Sequence, residues 1–149
     1  MLAEIVQQDD DWIEQAHDFI QWLFPLNDLS RASSHAPLVD DATIKAFHSD
    51  ELLQKHMRVS LVRMLKFLGL RFDGKQLHKA TNWSQRRGEW FTVHSHNSLR
   101  ITRILKSMSL LGLKQDAIAL HWGLEALCEN EGDCGITAES RKLWQQAVT

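Results

Sequence analysis

Tyrosine is absent from this chain, although it carries six tryptophans and six phenylalanines. Proline and cysteine are nearly absent too, with two of each in 149 residues. Both prolines, Pro25 and Pro37, bracket one polar stretch, LNDLSRASSHA, which reads as a loop between helices. With no other Pro-, Ser- or Gly-rich linker and no internal repeat, a single domain over residues 1–149 is expected. Cys128 and Cys134 match neither a zinc knuckle nor a redox CxxC; a disulfide is one reading, and two free thiols in a reducing compartment are the expectation. No apolar run approaches the roughly 20 residues that span a bilayer. The opening MLAEIVQQDDDW is acidic where a signal peptide would be basic, so the chain is expected in the cytoplasm without a membrane partner. Neither sign of charge dominates: a net charge of −2 exerts no global pull toward nucleic acid or anionic lipid. GxSxG, P-loop, GxGxxG and HExxH patterns are all missing, so no catalytic residue and no cofactor is indicated.

What is present is ordinary globular material. At 44% hydrophobic and 24% charged residues the chain can bury a core. Each buried tryptophan brings a large area and an indole N–H that wants an acceptor. Six of them therefore suggest an aromatic-rich core or groove. The acidic run Asp9 to Asp11 starts a helix whose apolar residues Ile13, Ala16, Ile20 and Leu23 share a face until Pro25 ends it. Asp40 or Asp41 caps a short helix carrying Ile44 and Phe47. A longer helix runs from about Asp50 to Leu68, and Gly69 is placed to terminate it. From Arg71 to His94 no clean period exists, and a long ordered loop with a helical turn or short strands is expected. Three more helices follow: His96 to Leu111 stopped by Gly112, Lys114 to about Glu129, and one capped by Thr137. Every long apolar pattern has the helical period, which predicts an all-α bundle of five to seven helices.

Two stretches say more than periodicity does. In HNSLRITRILKS, His96, Arg100, Arg103 and Ser107 lie within about 60° of one another on a helical wheel, opposite an Ile/Leu/Met face. Two guanidiniums one turn apart form a fork for carboxylate or phosphate, and a helix N-terminus adds to the attraction for an anion. The alternative is that both arginines pair with internal acids such as Asp18, Asp116 or Glu125, or lie in solvent. In HDFIQWLFPL the residues Phe19, Ile20, Trp22, Leu23, Phe24 and Leu26 leave hardly a polar side, which predicts burial among the central helices, with a side presented to a partner as the alternative. Gln21, set among these aromatics, would need its amide satisfied and reads as a structural hydrogen-bonder. His17 borders this face and is expected to donate to another helix.

Those two stretches, in that order, resemble the conserved region of the opioid growth factor receptor family. There a helix ending in a YIQWLFPL-like sequence precedes one reading NHNxLRITRILKSL. Pro37-Leu38 and Asn82-Trp83 with Arg86 sit where that family carries related residues, and the likeness covers roughly residues 10 to 130. Phe19 stands in place of the family's usual Tyr. The long repetitive tails of the animal receptors are missing, which suggests a stand-alone, microbial version of the domain. The resemblance implies a helical domain whose animal members are described as enkephalin-binding, nucleus-associated growth regulators. It does not by itself imply an activity for this chain.

The residues then offer competing readings. A non-enzymatic site for an anionic small molecule or peptide would use His96, Arg100, Arg103 and Ser107 with Trp83, Arg86, Trp90 and His94 of the preceding segment. An enzyme or cofactor binder acting on an anionic small molecule is the second reading, and a protein partner is also compatible. Trp83, Arg86, Arg87, Trp90 and His94 interleave aromatics with cations, as single-stranded nucleic acid requires, or as a loop does to pin itself by cation–π contacts. The acidic balance and the lack of a recognition signature disfavour nucleic acid. His94 and His96 with His78 or His121 make a weak metal set, and no metal site is assigned.

Overall fold

A computed structural model describes residues 2–28, 37–93 and 95–149. In chain order the helices are α1 (Leu2–Val6), α2 (Asp10–Gln15), α3 (Ile20–Leu23), α4 (Asp41–Ser49) and α5 (Glu51–Phe67). A hairpin of β1 (Leu70–Phe72) and β2 (Leu77–Lys79) follows. Then come α6 (Trp83–Arg86), a 3-10 turn, α7 (Asn97–Leu110), α8 (Lys114–Asn130) and α9 (Ala138–Ala147). The short polar side chains expected to start helices do so. Asp9, Asp40 and Asp50 accept the N–H groups of Trp12, Thr43 and Leu52 at 2.8 Å, and Thr137 accepts that of Ser140 at 3.1 Å.

Two expectations need correction. The molecule is mainly helical but not all-α, because Leu70, Arg71 and Phe72 pair antiparallel with Lys79, His78 and Leu77. Nine α-helices stand among the described residues rather than five to seven. The surplus comes mostly from the N-terminal region, where α1 is additional and the stretch expected as one helix breaks at Ala16, whose backbone is extended. The break lets Phe19, Ile20, Leu23 and Phe24 all reach the interior, which a single straight helix with apolar residues on every side could not arrange. Trp22 is the exception and stays 47% exposed. Most of the loop between the prolines lies outside the described residues. At its two ends the Val39 N–H donates to the Leu26 carbonyl at 3.1 Å.

The core is organised along α7. Leu105 and Met108 are wholly enclosed, and Ile101 and Ile104 nearly so. Ala117, Leu120 and Leu124 of α8 and Trp144 of α9 join the same core. The Trp144 indole donates to the Ser98 carbonyl at 3.0 Å, and the Trp90 indole to the Leu68 carbonyl at 2.8 Å. Both enclosed indole N–H groups are thereby satisfied, which is the condition for burying them. Trp83, Trp90 and Phe91 pack edge-on to one another beside the hairpin, with centroids 5.3–6.0 Å apart.

Candidate functional site

The polar stripe of α7 meets the broken segment 16–25. Breaking a helix frees the carbonyls at each new C-terminal end, and these need donors if they are buried. Arg100 gives one Nη to the Ala16 carbonyl at 2.5 Å and the other to Asn97 Oδ1 at 3.1 Å. Its guanidinium also lies 5.1 Å from the centre of the Phe19 ring. Arg103 gives Nε to the Phe24 carbonyl at 2.8 Å, and Ser107 gives its hydroxyl to the Pro25 carbonyl at 2.8 Å. Three residues on one helix face thus hold the ends of α2 and α3. Carbonyls take the place of the acids considered from sequence: Asp116 pairs with Arg58 and Glu125 with Arg141.

These contacts divide the stripe. Arg100 is 7% exposed and Ser107 fully enclosed, and both are committed to internal partners. Burial lowers the pKa of Arg100, while the charge of Glu14 works the other way. Arg103 is only half-buried and uses Nε alone; its two Nη atoms have no hydrogen-bond partner among the described residues. Burial lowers its pKa as well, against the charge of Asp28. His96, at the head of α7, sits 3.2 Å from Glu14 and has its ring 6.1 Å from that of His17.

Beside these groups runs an open groove of about 400 Å³ between α7 and segment 17–26. His17, His96, Arg103 and Lys106 bring cationic or titratable groups to it, and Ile20, Leu26 and Leu99 make its apolar walls. Leu99 is 64% exposed there. Gln21 lines the groove at 3% exposure, and its Oε1 has no hydrogen-bond partner among the described residues. That reverses the structural role expected for its amide. An acceptor in this condition costs roughly 1–3 kcal/mol. His17, expected to bond another helix, is instead an exposed residue of the groove rim.

The remaining sequence candidates lie elsewhere. Trp83 and Trp90 are 6% and 1% exposed, so neither presents a face on which a base could stack. Arg86 donates Nε to the Phe67 carbonyl at 2.7 Å and covers the Phe67 ring at 4.6 Å. Arg87 lies 5.4 Å from the Trp83 ring and 5.5 Å from that of Phe91, which makes this a self-pinning segment. None of the four lines the groove. His94 lies outside the described residues. His78 pairs with Asp73, and no three ligand-type side chains gather among the described residues. Sequence reasoning missed Gln21 as an unsatisfied group, and it missed Lys106 and Leu99. Those two are turned about 70–90° from the centre of the arginine stripe on a helical wheel, so the accessible flank could be found only once the centre was known to be occupied.

A model of the opioid growth factor receptor (OGFr) conserved region matches residues 1–132. The chain belongs to that family. Similar proteins include the opioid growth factor receptor of Homo sapiens, 36% identical over 107 residues, which cover 70% of this chain and 16% of that protein. The opioid growth factor receptor-like protein 1 of Rattus norvegicus is 34% identical over 106 residues, 70% of this chain and 22% of the relative. The corresponding protein of Xenopus tropicalis is 35% identical over 106 residues, 70% and 20%. The matched region thus spans less than a quarter of these relatives' length. No solved structure matches the chain. Both stretches that carry the family resemblance, 17–26 and 96–107, line the groove or are bonded across its base.

Proposed function

We propose that this family member is a non-enzymatic binding domain whose ligand seats an anionic group in the groove between α7 and segment 17–26. The observation that carries the reading is the pairing, on the same concave surface, of a buried Gln21 Oε1 and the two Nη atoms of Arg103, none of which has a hydrogen-bond partner among the described residues. A ligand bearing both an N–H or O–H donor and a carboxylate or phosphate would satisfy the two together. Lys106 adds a second cation, and Leu99, Ile20 and Leu26 would bury the ligand's apolar part. Small-molecule and peptide sites have this composition, with mostly apolar walls and a few placed polar groups. The name "receptor" carried by relatives agrees with such a role.

The groove offers no free hydroxyl nucleophile among its lining residues. Thr102 donates to the Ser98 carbonyl at 3.1 Å, which ties up the one hydroxyl side chain among the lining residues. The test is calorimetric titration with inorganic phosphate, dicarboxylates and short peptides with free C-termini, on the parent, Gln21→Met and Lys106→Glu. One class is expected to bind the parent saturably and neither variant. Gln21→Met is expected to melt at or above the parent temperature, because it removes an unsatisfied buried acceptor. If Gln21→Met is destabilised and no probe binds the parent, the amide serves the fold and the reading is wrong.

A further inference from the structure

A second and larger concavity, about 970 Å³, lies between the β1–β2 hairpin and α8 and shares no lining residue with the α7 groove. Its charge runs against that of the chain. The net charge is −2, yet Arg71, Lys75 and Lys79 line this surface against a single carboxylate, Glu131. Glu131 is already neutralised by Lys79 and by Arg87 at 3.5 Å. Arg71 and Lys75 are exposed, and neither has an ion-pair partner among the described residues. The floor is apolar, with Leu77, Ile118 and Leu127, and Trp122 stands at 67% exposure on the rim. A tryptophan left this open on a helix forgoes most of its burial energy, and such residues are enriched where partners dock.

The hairpin adds directionality. The Ala80 N–H bonds the Gly69 carbonyl and the Asp73 N–H bonds the Gln76 carbonyl, which makes 69/80 and 73/76 hydrogen-bonded pairs. In an antiparallel ladder such pairs alternate, so Arg71 and His78 form the third. The N–H and C=O groups of Leu77 and Lys79 therefore point away from β1, along an edge with no other strand among the described residues. Gly123 of α8 sets the spacing of the two walls, since a Cβ there would fall 2.5 Å from Leu77 Cβ. An open strand edge beside a helix is the geometry that accepts an extended segment of another chain.

We infer that the hairpin–α8 groove docks an extended acidic segment of a partner protein. Its backbone pairs with the outer edge of β2, its Asp or Glu side chains meet Arg71 and Lys75, and an apolar side chain packs on Trp122. The helix α8 of 17 residues is about 25 Å long, which about eight extended residues would span.

The experiment is selection of random displayed peptides of about that length on the intact chain, followed by binding measurements on Arg71→Glu/Lys75→Glu, Trp122→Ala and Lys106→Glu. All four positions are exposed, and circular dichroism confirms the fold of each variant. Enriched sequences are expected to alternate acidic with apolar residues. They should bind the double charge-reversal variant roughly tenfold or more weakly, lose affinity for Trp122→Ala, and keep it for Lys106→Glu. No enrichment, enrichment without acidic residues, or equal binding to all variants would overturn the inference. Loss on Lys106→Glu instead would place the peptides in the α7 groove. A labelled oligothymidylate that binds the parent but not the charge-reversal variant would assign the groove to nucleic acid and overturn it as well.

Discussion

Arg100 and Arg103 are the same residue type one turn apart, and the structure gives them different work. Arg100 is enclosed and bonded to a helix-ending carbonyl and to a buried amide. Its loss leaves Ala16 O and Asn97 Oδ1 short of a donor and opens a void against Phe19. Arg100→Ala is therefore expected to cost about 2–4 kcal/mol, and the half-buried Arg103→Ala about 1 kcal/mol, in urea unfolding. Equal, small effects would show that the carbonyl contacts are incidental. His121 supplies a pH dependence at the same scale. It is buried beside Glu125 and Arg141, and burial lowers its pKa from the ordinary 6.5, with Glu125 opposing and Arg141 reinforcing the shift. The unfolded chain then takes up a proton near 6.5 while the folded chain takes it up only at lower pH. Stability is thus expected to fall as pH drops below 6.5, until the folded pKa is also passed. Unfolding midpoints of the parent and His121→Gln between about pH 8 and about pH 5 check this, and the variant should show the shallower slope.

At the scale of elements, the join between α5 and the hairpin leaves no room for a side chain. Gly69 follows α5 with φ of +79°, and a Cβ there would lie 2.8 Å from the Cα of Trp83. Backbone cannot yield as a flexible side-chain tip can. Gly69→Ala combines left-handed strain with that collision, and about 2 kcal/mol or more of destabilisation is expected. The near-ultraviolet circular dichroism of the Trp83–Trp90–Phe91 cluster should change with it. A variant within about 0.5 kcal/mol of the parent would mean that the turn relaxes without moving α6. The position of Gly69 at the end of a periodic run was legible in the sequence. The hairpin was legible only as an expectation of short strands or a helical turn within 71–94, because three-residue strands are too short to show a period of two and so to fix a register.

For the whole molecule, α9 decides whether the domain closes. The match to the family's conserved region ends at residue 132, yet Trp144 of α9 is wholly enclosed and bonded to Ser98 of α7. Removing it strips about 2–3 kcal/mol of apolar burial from that one side chain and leaves a backbone carbonyl unsatisfied. A chain ending at residue 132 is expected to lose cooperative thermal unfolding and near-ultraviolet ellipticity. If it melts like the full chain, α9 is an appendage and the core is complete without it.

The sequence by itself determined the helices α4, α5, α7, α8 and α9, because caps and 3.6-residue apolar spacing are local properties that act on each segment before it meets another. Asp50, Thr137 and the stripe from Met57 to Leu65 are of this kind. It also determined the family, through two contiguous motifs. The tertiary structure alone decided what the polar residues of those motifs do. Arg100, Arg103 and Ser107 share a helix face in any reading. Whether that face meets solvent, a ligand or a carbonyl depends on where segment 16–25 breaks and which acceptors the break exposes. Such partners lie about 80 residues away along the chain and no local pattern encodes them. The same holds for Gln21, whose lack of a partner among the described residues is a property of the packed core and not of its neighbours in sequence.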